Sequence, residues 1–170
     1  MQKFNVMATD SISNEVFGVP ELLTENEYEL YMVEDSVFEC VNEQGNNARI
    51  YDLEFIINNF FFLDDDEPEC ITKAKRELLN KNNRKHKENN NVTYEGIAKE
   101  DISGDGDYNI VSLTKGLTYV IAEEDDETYS FYDDDGVLNT GYDAEITYYD
   151  FEFKDGMPKE VLRFANETKQ

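Results

Sequence analysis

The sequence has few of the residues and segments that reactive or membrane-bound proteins use. Only 2 cysteines and 1 histidine occur among its 170 residues. Its apolar runs fall far short of the ~20 residues that a membrane-spanning helix requires, and no apolar signal segment opens the chain. We therefore expect a cytoplasmic protein, without membrane binding, in which Cys40 and Cys70 are free thiols rather than a disulfide.

Candidate catalytic residues are equally scarce. The single histidine, His86, lies in a lysine-rich segment, and no serine or cysteine stands in a recognisable nucleophile motif. A hydrolase that works with two carboxylates would need them at a defined separation in a cleft, and turns filled with interchangeable acids do not specify one. The sequence thus predicts no enzyme activity, no catalytic residue and no cofactor.

Basic residues are few for the number of acids. The chain has 15 Lys and Arg against 39 Asp and Glu, which gives a formal charge of −24. A charge of this size argues against direct binding of nucleic acid or an anionic membrane, and it favours a basic partner surface or bound cations. Seven of the 15 basic residues lie between Lys73 and Lys87. We interpret this run as a helix end followed by a solvated linker, with attraction to an acidic unit as the alternative.

What the sequence does contain is an internal duplication. The stretch from Leu113 to Phe153 repeats, 91 residues later and without a gap, a stretch that begins at Leu22. The segment from Phe4 to Ser13 matches Tyr94 to Ser103 at an offset of 90. A repeat of this length indicates two similar structural units. The matched pairs include Tyr28 and Tyr119, Leu30 and Ile121, Phe38 and Tyr129, Cys40 and Phe131, Gly45 and Gly136, Tyr51-Asp52 and Tyr142-Asp143, Phe60 and Phe151, and Pro68 and Pro158.

Each unit is predicted to contain short strands followed by one helix. Leu117, Tyr119 and Ile121 recur at every second position, which is the period of a half-buried strand. Pro68 and Pro158 each suit the first turn of a short closing helix. We predict a first unit over residues 4–81, a polar linker over 82–93 and a second unit over 94–170.

The turns and last strands complete the prediction for each unit. The run from Glu123 to Glu127 forms the turn of a long hairpin, and Asp135-Gly136 forms the next turn, where glycine tolerates a positive φ. Phe151 to Phe153 marks the last strand of the second unit. In the first unit we interpret Ile56-Ile57 and Phe60 to Phe62 as strands that are apolar on both faces.

The segment from Leu113 to Ile146 resembles a known β-barrel pattern. It has an opening LTKG, a tyrosine five residues after its threonine, an aromatic residue on the next strand, an Asp-Gly turn and a closing Tyr-Asp. In these respects it is similar to the short Src-homology-3-like (SH3-like) barrels of many bacterial and phage-encoded small proteins. The resemblance implies a mainly β fold of two tandem duplicated SH3-like barrels, each ending in a short α-helix, and it implies no particular function. The first unit departs from the pattern, since its LTENEY lacks the glycine.

Three acidic clusters stand at predicted strand ends or turns, where their side chains should project from the barrels. One such cluster alone is most simply a solvated face. Three of them, in a chain with a charge of −24, favour a surface that imitates the charge spacing of a nucleic-acid backbone and fills a basic groove. The predicted partner-binding residues are Asp64, Asp65, Asp66, Glu67, Glu123, Glu124, Asp125, Asp126, Glu127, Asp133, Asp134 and Asp135.

One further group of acids has the composition of a cation site. Asp101, Asp105 and Asp107 flank a loop that superficially resembles the start of an oxygen-ligand site. The spacing lacks the glycine and the glutamate that an EF-hand loop places at its sixth and twelfth positions. We therefore predict no metal site and interpret the segment as the long first loop of a barrel.

These features together predict a binding protein. The leading hypothesis is a non-enzymatic phage or mobile-element protein that binds and inhibits a nucleic-acid-handling defence enzyme in the cytoplasm of its bacterial host. The enzyme would be of the CRISPR effector or restriction type, and its basic groove would be the target. The phage assignment rests on analogy with small acidic inhibitors. The alternative is a tandem adaptor that binds peptide or protein segments in its barrel grooves through Tyr28, Tyr119 and Tyr142, without inhibition.

Overall fold

The computed structural model describes residues 1–9, 22–23, 26–42, 45–63, 67–102, 111–124 and 127–169. The chain divides into two compact units, Met1–Arg76 and Glu77–Gln170. Each unit is built on a five-stranded antiparallel sheet. The protein is therefore mainly β with two tandem units and additional helices, and this part of the sequence prediction is confirmed.

The first unit orders its sheet β4-β3-β2-β1-β5. Helix α1 precedes the last strand, and helix α2 begins directly after Pro68. The boundary between the two units falls inside α2, between Arg76 and Glu77. The elements are β1 Gln2–Ala8, β2 Glu27–Glu34, β3 Val37–Val41, β4 Asn47–Ile50, α1 Leu53–Asn59, β5 Phe60–Phe62 and α2 Glu69–Asn89.

The second unit repeats this arrangement with the order β9-β8-β7-β6-β10. Its helix α3 takes the place of α1, and helix α4 follows Pro158. The elements are β6 Thr93–Ala98, β7 Thr118–Glu123, β8 Tyr129–Tyr132, β9 Leu138–Tyr142, α3 Ala144–Asp150, β10 Phe151–Phe153 and α4 Lys159–Glu167.

The strand registers follow the offsets of the duplicated sequence. Leu30 of β2 pairs with Phe4 of β1, and Ile121 of β7 pairs with Tyr94 of β6. These are the residues that the offsets of 91 and 90 place in equivalent positions. A one-residue slip would turn every side chain to the opposite face. The two sheets therefore bury equivalent faces.

The core of the second unit lies on one face of its sheet. Tyr119, Phe131 and Phe151 are fully buried there, with the Phe131 and Phe151 ring centroids 5.0 Å apart in an edge-to-face arrangement. Val161 of α4 and Leu79 of α2 pack against the same cluster. In the first unit the place of Phe131 belongs to Cys40, which is also fully buried. Burial raises the pKa of the Cys40 thiol to about 12, so this cysteine is a free, unreactive core residue.

Gly96 marks a difference between the two cores. A Cβ at Gly96 would lie 2.6 Å from Ile121 Cδ1 and 3.1 Å from Phe151 Cβ, so a larger residue requires these side chains to shift. The equivalent position of the first unit is Val6, which is fully buried. Each core thus fills the same site with different residues.

The prediction that Ile56-Ile57 lie in a strand is wrong. These residues were expected in a strand that is apolar on both faces, but they lie in α1 and are buried. The helix begins because the Asp52 carboxylate accepts hydrogen bonds from the backbone N–H groups of Glu54 and Phe55. Asp143 caps α3 in the same way, through Ile146 N at 2.8 Å. The Tyr-Asp pair of the repeat therefore starts a helix.

The expected linker over residues 82–93 is also regular structure. Residues 82–89 continue helix α2, and β6 starts at Thr93. The sequence of this segment is polar, but Asn83 and His86 are buried against the second unit. Tertiary contacts therefore stabilise a helix that the apolar pattern alone does not predict. Among the described residues, no helix combines the length and the apolar character that crossing a membrane requires.

Candidate functional site

Two of the acids predicted to project into solvent are buried. Asp133 is 3% exposed and Asp134 is 7% exposed. The expectation that the whole Asp133 to Asp135 cluster forms an outward acidic surface is therefore wrong. Asp135 lies half-buried beside them. Buried carboxylates persist only where hydrogen bonds satisfy them, and both Asp133 and Asp134 have such partners.

Asp133 organises the turn between β8 and β9. Its Oδ1 accepts hydrogen bonds from the backbone N–H groups of Asp135 and Val137 at 3.1 and 2.9 Å. Its Oδ2 accepts one from Asn139 Nδ2 at 3.1 Å. Desolvation nonetheless raises the pKa of Asp133 to about 6, because burial penalises the charged form more than these bonds favour it.

Asp134 ties this turn to the start of the repeat motif. Its Oδ1 accepts a hydrogen bond from the Tyr119 hydroxyl, and its Oδ2 accepts one from the Thr114 hydroxyl, both at 2.7 Å. The Tyr119 oxygen in turn accepts from the backbone N–H of Thr114 at 2.8 Å. Burial and the neighbouring Asp134 raise the pKa of Tyr119, so the phenol stays protonated.

The first unit contains the same framework with a neutral residue in the place of Asp133. Asn42 Oδ1 accepts a hydrogen bond from Asn46 N at 2.9 Å. The Tyr28 hydroxyl accepts one from Leu23 N at 2.8 Å, as Tyr119 does from Thr114. Because an amide performs the turn function in one unit and a carboxylate in the other, the role of Asp133 is structural.

The remaining predicted acids differ in exposure. Glu123 is exposed and accepts a hydrogen bond from the Tyr94 hydroxyl at 3.1 Å, and Glu127 is exposed with a φ of 63°. Glu124 is half-buried and accepts from the Ser130 hydroxyl. Glu67 forms an ion pair with Lys75 at 2.7 Å. The other predicted acids, Asp64, Asp65, Asp66, Asp125 and Asp126, lie outside the described residues.

The acidic charge is divided equally between the two units. Residues 1–76 contain 17 acidic and 5 basic residues, and residues 77–170 contain 22 and 10, so each unit carries a charge of −12. Most acids in the described ranges face solvent. The exposed acids are Glu27, Glu29, Glu34, Asp35, Asp52, Glu54, Glu69, Glu77, Glu88, Glu100, Asp101, Glu123, Glu127, Asp143, Glu145, Glu152, Asp155 and Glu167.

The basic run from Lys73 to Lys87 lies on helix α2 rather than at a helix end followed by a linker. Lys73, Arg84 and Lys85 are exposed. Lys87 forms an ion pair with Glu95 of β6 at 3.2 Å. This helix therefore presents most of its cations to solvent while its polar residues Asn83 and His86 face inward.

His86 and Ser130 form a pair that sequence reasoning did not connect. His86 Nε2 lies 3.0 Å from the carbonyl oxygen of Ser130 and 3.3 Å from its hydroxyl. Asn90 Nδ2 lies 3.1 Å from His86 Nδ1. Because a carbonyl oxygen can only accept, Nε2 donates, and Nδ1 then accepts from Asn90. Ser130 is completely buried, so a substrate has no access to its hydroxyl. The pair anchors α2 to β8.

The aromatic residues assigned to the adaptor alternative are buried or half-buried. Tyr119 is completely buried and Tyr28 is 5% exposed, with their hydroxyls bonded to backbone N–H groups. Tyr142 is half-buried, with its ring packed against Phe131. A peptide therefore cannot stack on the Tyr119 ring, and the adaptor alternative stays a prediction.

The predicted absence of a metal site concerns Asp101, Asp105 and Asp107. Asp101 accepts a hydrogen bond from Lys115 N at 2.7 Å, and the other two lie outside the described residues. Where the chain is described, the structure brings together no group of three or more His, Cys, Asp or Glu that could hold a metal ion.

Comparisons with known proteins leave the fold and the site as the basis for assigning a function. The sequence matches no protein-family model and no curated protein.

Proposed function

We propose that this protein binds a basic surface of a nucleic-acid-handling defence enzyme and inhibits it by covering the groove that holds the nucleic acid. The observation that carries the proposal is the charge of −12 on each unit, combined with acids that mostly face solvent. The inhibition is non-enzymatic. An SH3-like barrel pair, as the LTKG motif suggests, would serve as the scaffold for this surface.

The hairpin turn of the second unit is the first candidate for the contact. Glu123 and Glu127 are exposed on either side of it, and five consecutive acids run from Glu123 to Glu127. The equivalent stretch of the first unit, Met32 to Ser36, has two acids. The fold therefore does not require this density of charge. A turn of concentrated carboxylates would attract Lys and Arg side chains and speed association at low salt.

The proposal is tested by capture from a bacterial lysate, followed by competition. The tagged chain should retain a nuclease or helicase, and DNA or RNA should displace it. Contacts between highly charged surfaces release the counterions bound to them, so the affinity for the target should fall steeply as the salt concentration is raised. A target that is captured but keeps full activity would leave binding without inhibition and would contradict the inhibitor assignment.

Two charge-reversal variants locate the contact. The turn variant replaces Glu123, Asp125, Asp126 and Glu127 with Lys, and the control replaces four exposed acids elsewhere in the second unit with Lys. The turn variant should lose at least tenfold in affinity and the control much less. Equal losses would mean that only net charge matters, and no loss in either would eliminate the acidic surface as the contact. The control acids are Glu100, Glu152, Asp155 and Glu167.

A further inference from the structure

Helix α2 occupies a defined seat on the sheet of the second unit. Asn83 Nδ2 donates to the carbonyl oxygen of Thr118, and Asn83 Oδ1 accepts from Val120 N, both at 3.0 Å. Both bonds reach the backbone of β7 in the part that precedes its pairing with β8. Leu79, four residues earlier, enters the core, and His86, three residues later, contacts β8. Three residues of one helix thus hold it against the line where β7 and β8 meet, the β7–β8 seam.

In the part of the chain that the structure describes, the equivalent seam of the first unit is a groove. The counterparts of Thr118 and Val120 are Glu27 and Glu29 of β2. Both acids line a groove of about 480 Å³. The lining residues are Asn5, Glu27, Tyr28, Glu29, Tyr31, Val41 and Asn42. The groove therefore lies where the helix lies in the second unit.

The side chains at the two seams differ in the way that their surroundings require. At the seam of the second unit, Val120, Ala122 and Ser130 are small, neutral and buried, and helix α2 bonds to Val120 N and to Ser130.

Their counterparts in the first unit are Glu29, Tyr31 and Glu39. The side chains of Glu29 and Glu39 are 48% and 26% exposed. Glu29 is bonded by Lys3 and Tyr31, and Glu39 by Arg49 and Asn47. A helix with neutral side chains would exclude water from these carboxylates and add no charge to pair them, which costs free energy. A helix with Lys or Arg would pair them.

We propose that this groove is a docking site for a basic amphipathic helix of a partner protein. The helix would present an apolar residue, an asparagine four positions later and an Arg or Lys three positions after that, which is the spacing of Leu79, Asn83 and His86. The asparagine meets the β2 backbone around Glu27 and Glu29. In the partner helix, an Arg or Lys takes the position that His86 has in α2. The residue facing this position is Ser130 in the second unit, and its counterpart in the first unit is Glu39.

The charges already on this face allow such an exchange. Lys3 pairs with Glu29 at 2.8 Å, and Arg49 lies 3.7 Å from Glu39. Both pairs are accessible to solvent, and such pairs contribute little to stability, so an incoming guanidinium can take over the carboxylates. Tyr31 adds an aromatic ring beside them, a surface that cations also favour.

This surface is separate from the acidic turn of the second unit, and the proposal does not depend on inhibition of a nuclease. A fluorescent peptide with the sequence of residues 77–90 and the change His86→Arg is the probe. It is added to the full-length chain, and binding is followed by fluorescence anisotropy. We expect saturable binding that weakens at least tenfold in Glu29→Lys and in Glu39→Lys. The matched control, Glu152→Lys in the second unit, should bind as the unchanged chain does.

The peptide itself supplies the second test. Asn83→Ala in the peptide should weaken binding at least tenfold, since the asparagine makes both backbone contacts. Hydrogen exchange of each protein variant establishes that its first unit is folded. Binding that is insensitive to both lysine variants would overturn the proposal. So would cross-links from the peptide to β7 or β8, which would show exchange with the chain's own helix. A dimer that disappears in the lysine variants would identify a second copy as the occupant instead.

Discussion

The β2–β3 seam of the first unit and the β7–β8 seam of the second share strand order and register, but they carry different side chains. One seam has glutamates and a tyrosine around a groove, and the other has buried valine, alanine and serine residues where helix α2 is bonded to the sheet. Both units keep the same strand arrangement, as a duplicated sequence predicts. The side chains differ because helix α2 covers the seam in the second unit, whereas the seam of the first unit is a groove.

The opposite pattern holds at the turns that follow these seams. Asn42 and Asp133 make the same bond to a backbone N–H four residues later, and Tyr28 and Tyr119 accept equivalent backbone bonds. These contacts are common to both units because the turn geometry requires them. The comparison separates residues that build the fold from residues that are free to take on a function.

Replacing Gly96 with valine, the residue at the equivalent position 6 of the first unit, should produce the largest effect. Gly96→Val places a side chain against Ile121 and Phe151, where even a Cβ would be 2.6 Å from a neighbouring atom. We expect the free energy of unfolding of the second unit to fall by about 3 kcal/mol. Hydrogen exchange, read separately for residues 1–76 and 77–170, should show the loss in the second unit only. Equal loss in both would mean that the two units unfold together.

Asp133→Asn makes the turn of the second unit resemble that of the first. The pKa of Asp133 is raised from 3.8 to about 6, so the folded state holds the proton more tightly and stability is lost as pH rises through about 6. That shift corresponds to about 3 kcal/mol between pH 4 and pH 8. The asparagine variant should lack this loss and be the more stable protein at pH 8.

The measurement is the difference in unfolding free energy between the variant and the unchanged chain at several pH values. Loss of the Asn139 hydrogen bond offsets part of the gain by about 1 kcal/mol at every pH. The pH dependence of the difference is therefore the informative quantity. Parallel curves across pH 4 to 8 would show that Asp133 does not titrate in this range.

Asn83→Ala should release helix α2 from its seat. The change removes two hydrogen bonds to β7 and leaves Thr118 O and Val120 N without those partners, so we expect a loss of about 2 kcal/mol in the second unit. Faster amide exchange in residues 77–89 is the readout. Asn80→Ala on the same helix is the control, since Asn80 is exposed. Equal effects of both changes would deny Asn83 its anchoring role.

The helix caps should give the smallest and most symmetrical effect. Asp52→Ala and Asp143→Ala each remove a capping carboxylate, and each should cost about 1 kcal/mol in its own unit. Asparagine at either position should restore most of the loss, because its side-chain oxygen can cap as well. Urea unfolding of the four variants tests this. Clearly unequal losses at the two caps would show that α1 and α3 do not play equivalent roles.

The sequence predicted the strands better than the helices. Alternation at Leu117, Tyr119 and Ile121 and the repeat itself located the sheets correctly, since these signals are local and periodic. The apolar run Phe55-Ile56-Ile57 has no period that distinguishes a buried strand from a helix. Asp52 followed by Glu54 was the available signal for a helix start.

The site was predictable only in part. Sequence shows that acids are abundant, but it does not show that Asp133 and Asp134 turn inward, since this depends on partners such as Asn139 and Thr114 that lie elsewhere in the chain. The groove of the first unit was equally invisible. It emerges only when Glu29 and Val120 are compared after the strand register is known.

The buried thiol of Cys40 allows the rate at which the first unit opens to be measured separately from that of the second unit. Cys40 is fully buried with its pKa raised to about 12, and its counterpart Phe131 has no thiol. A thiol reagent can therefore modify Cys40 only during moments when the first unit opens. In a Cys70→Ser background, the rate of that labelling measures how often the first unit opens, and a bound helix in its groove should slow it.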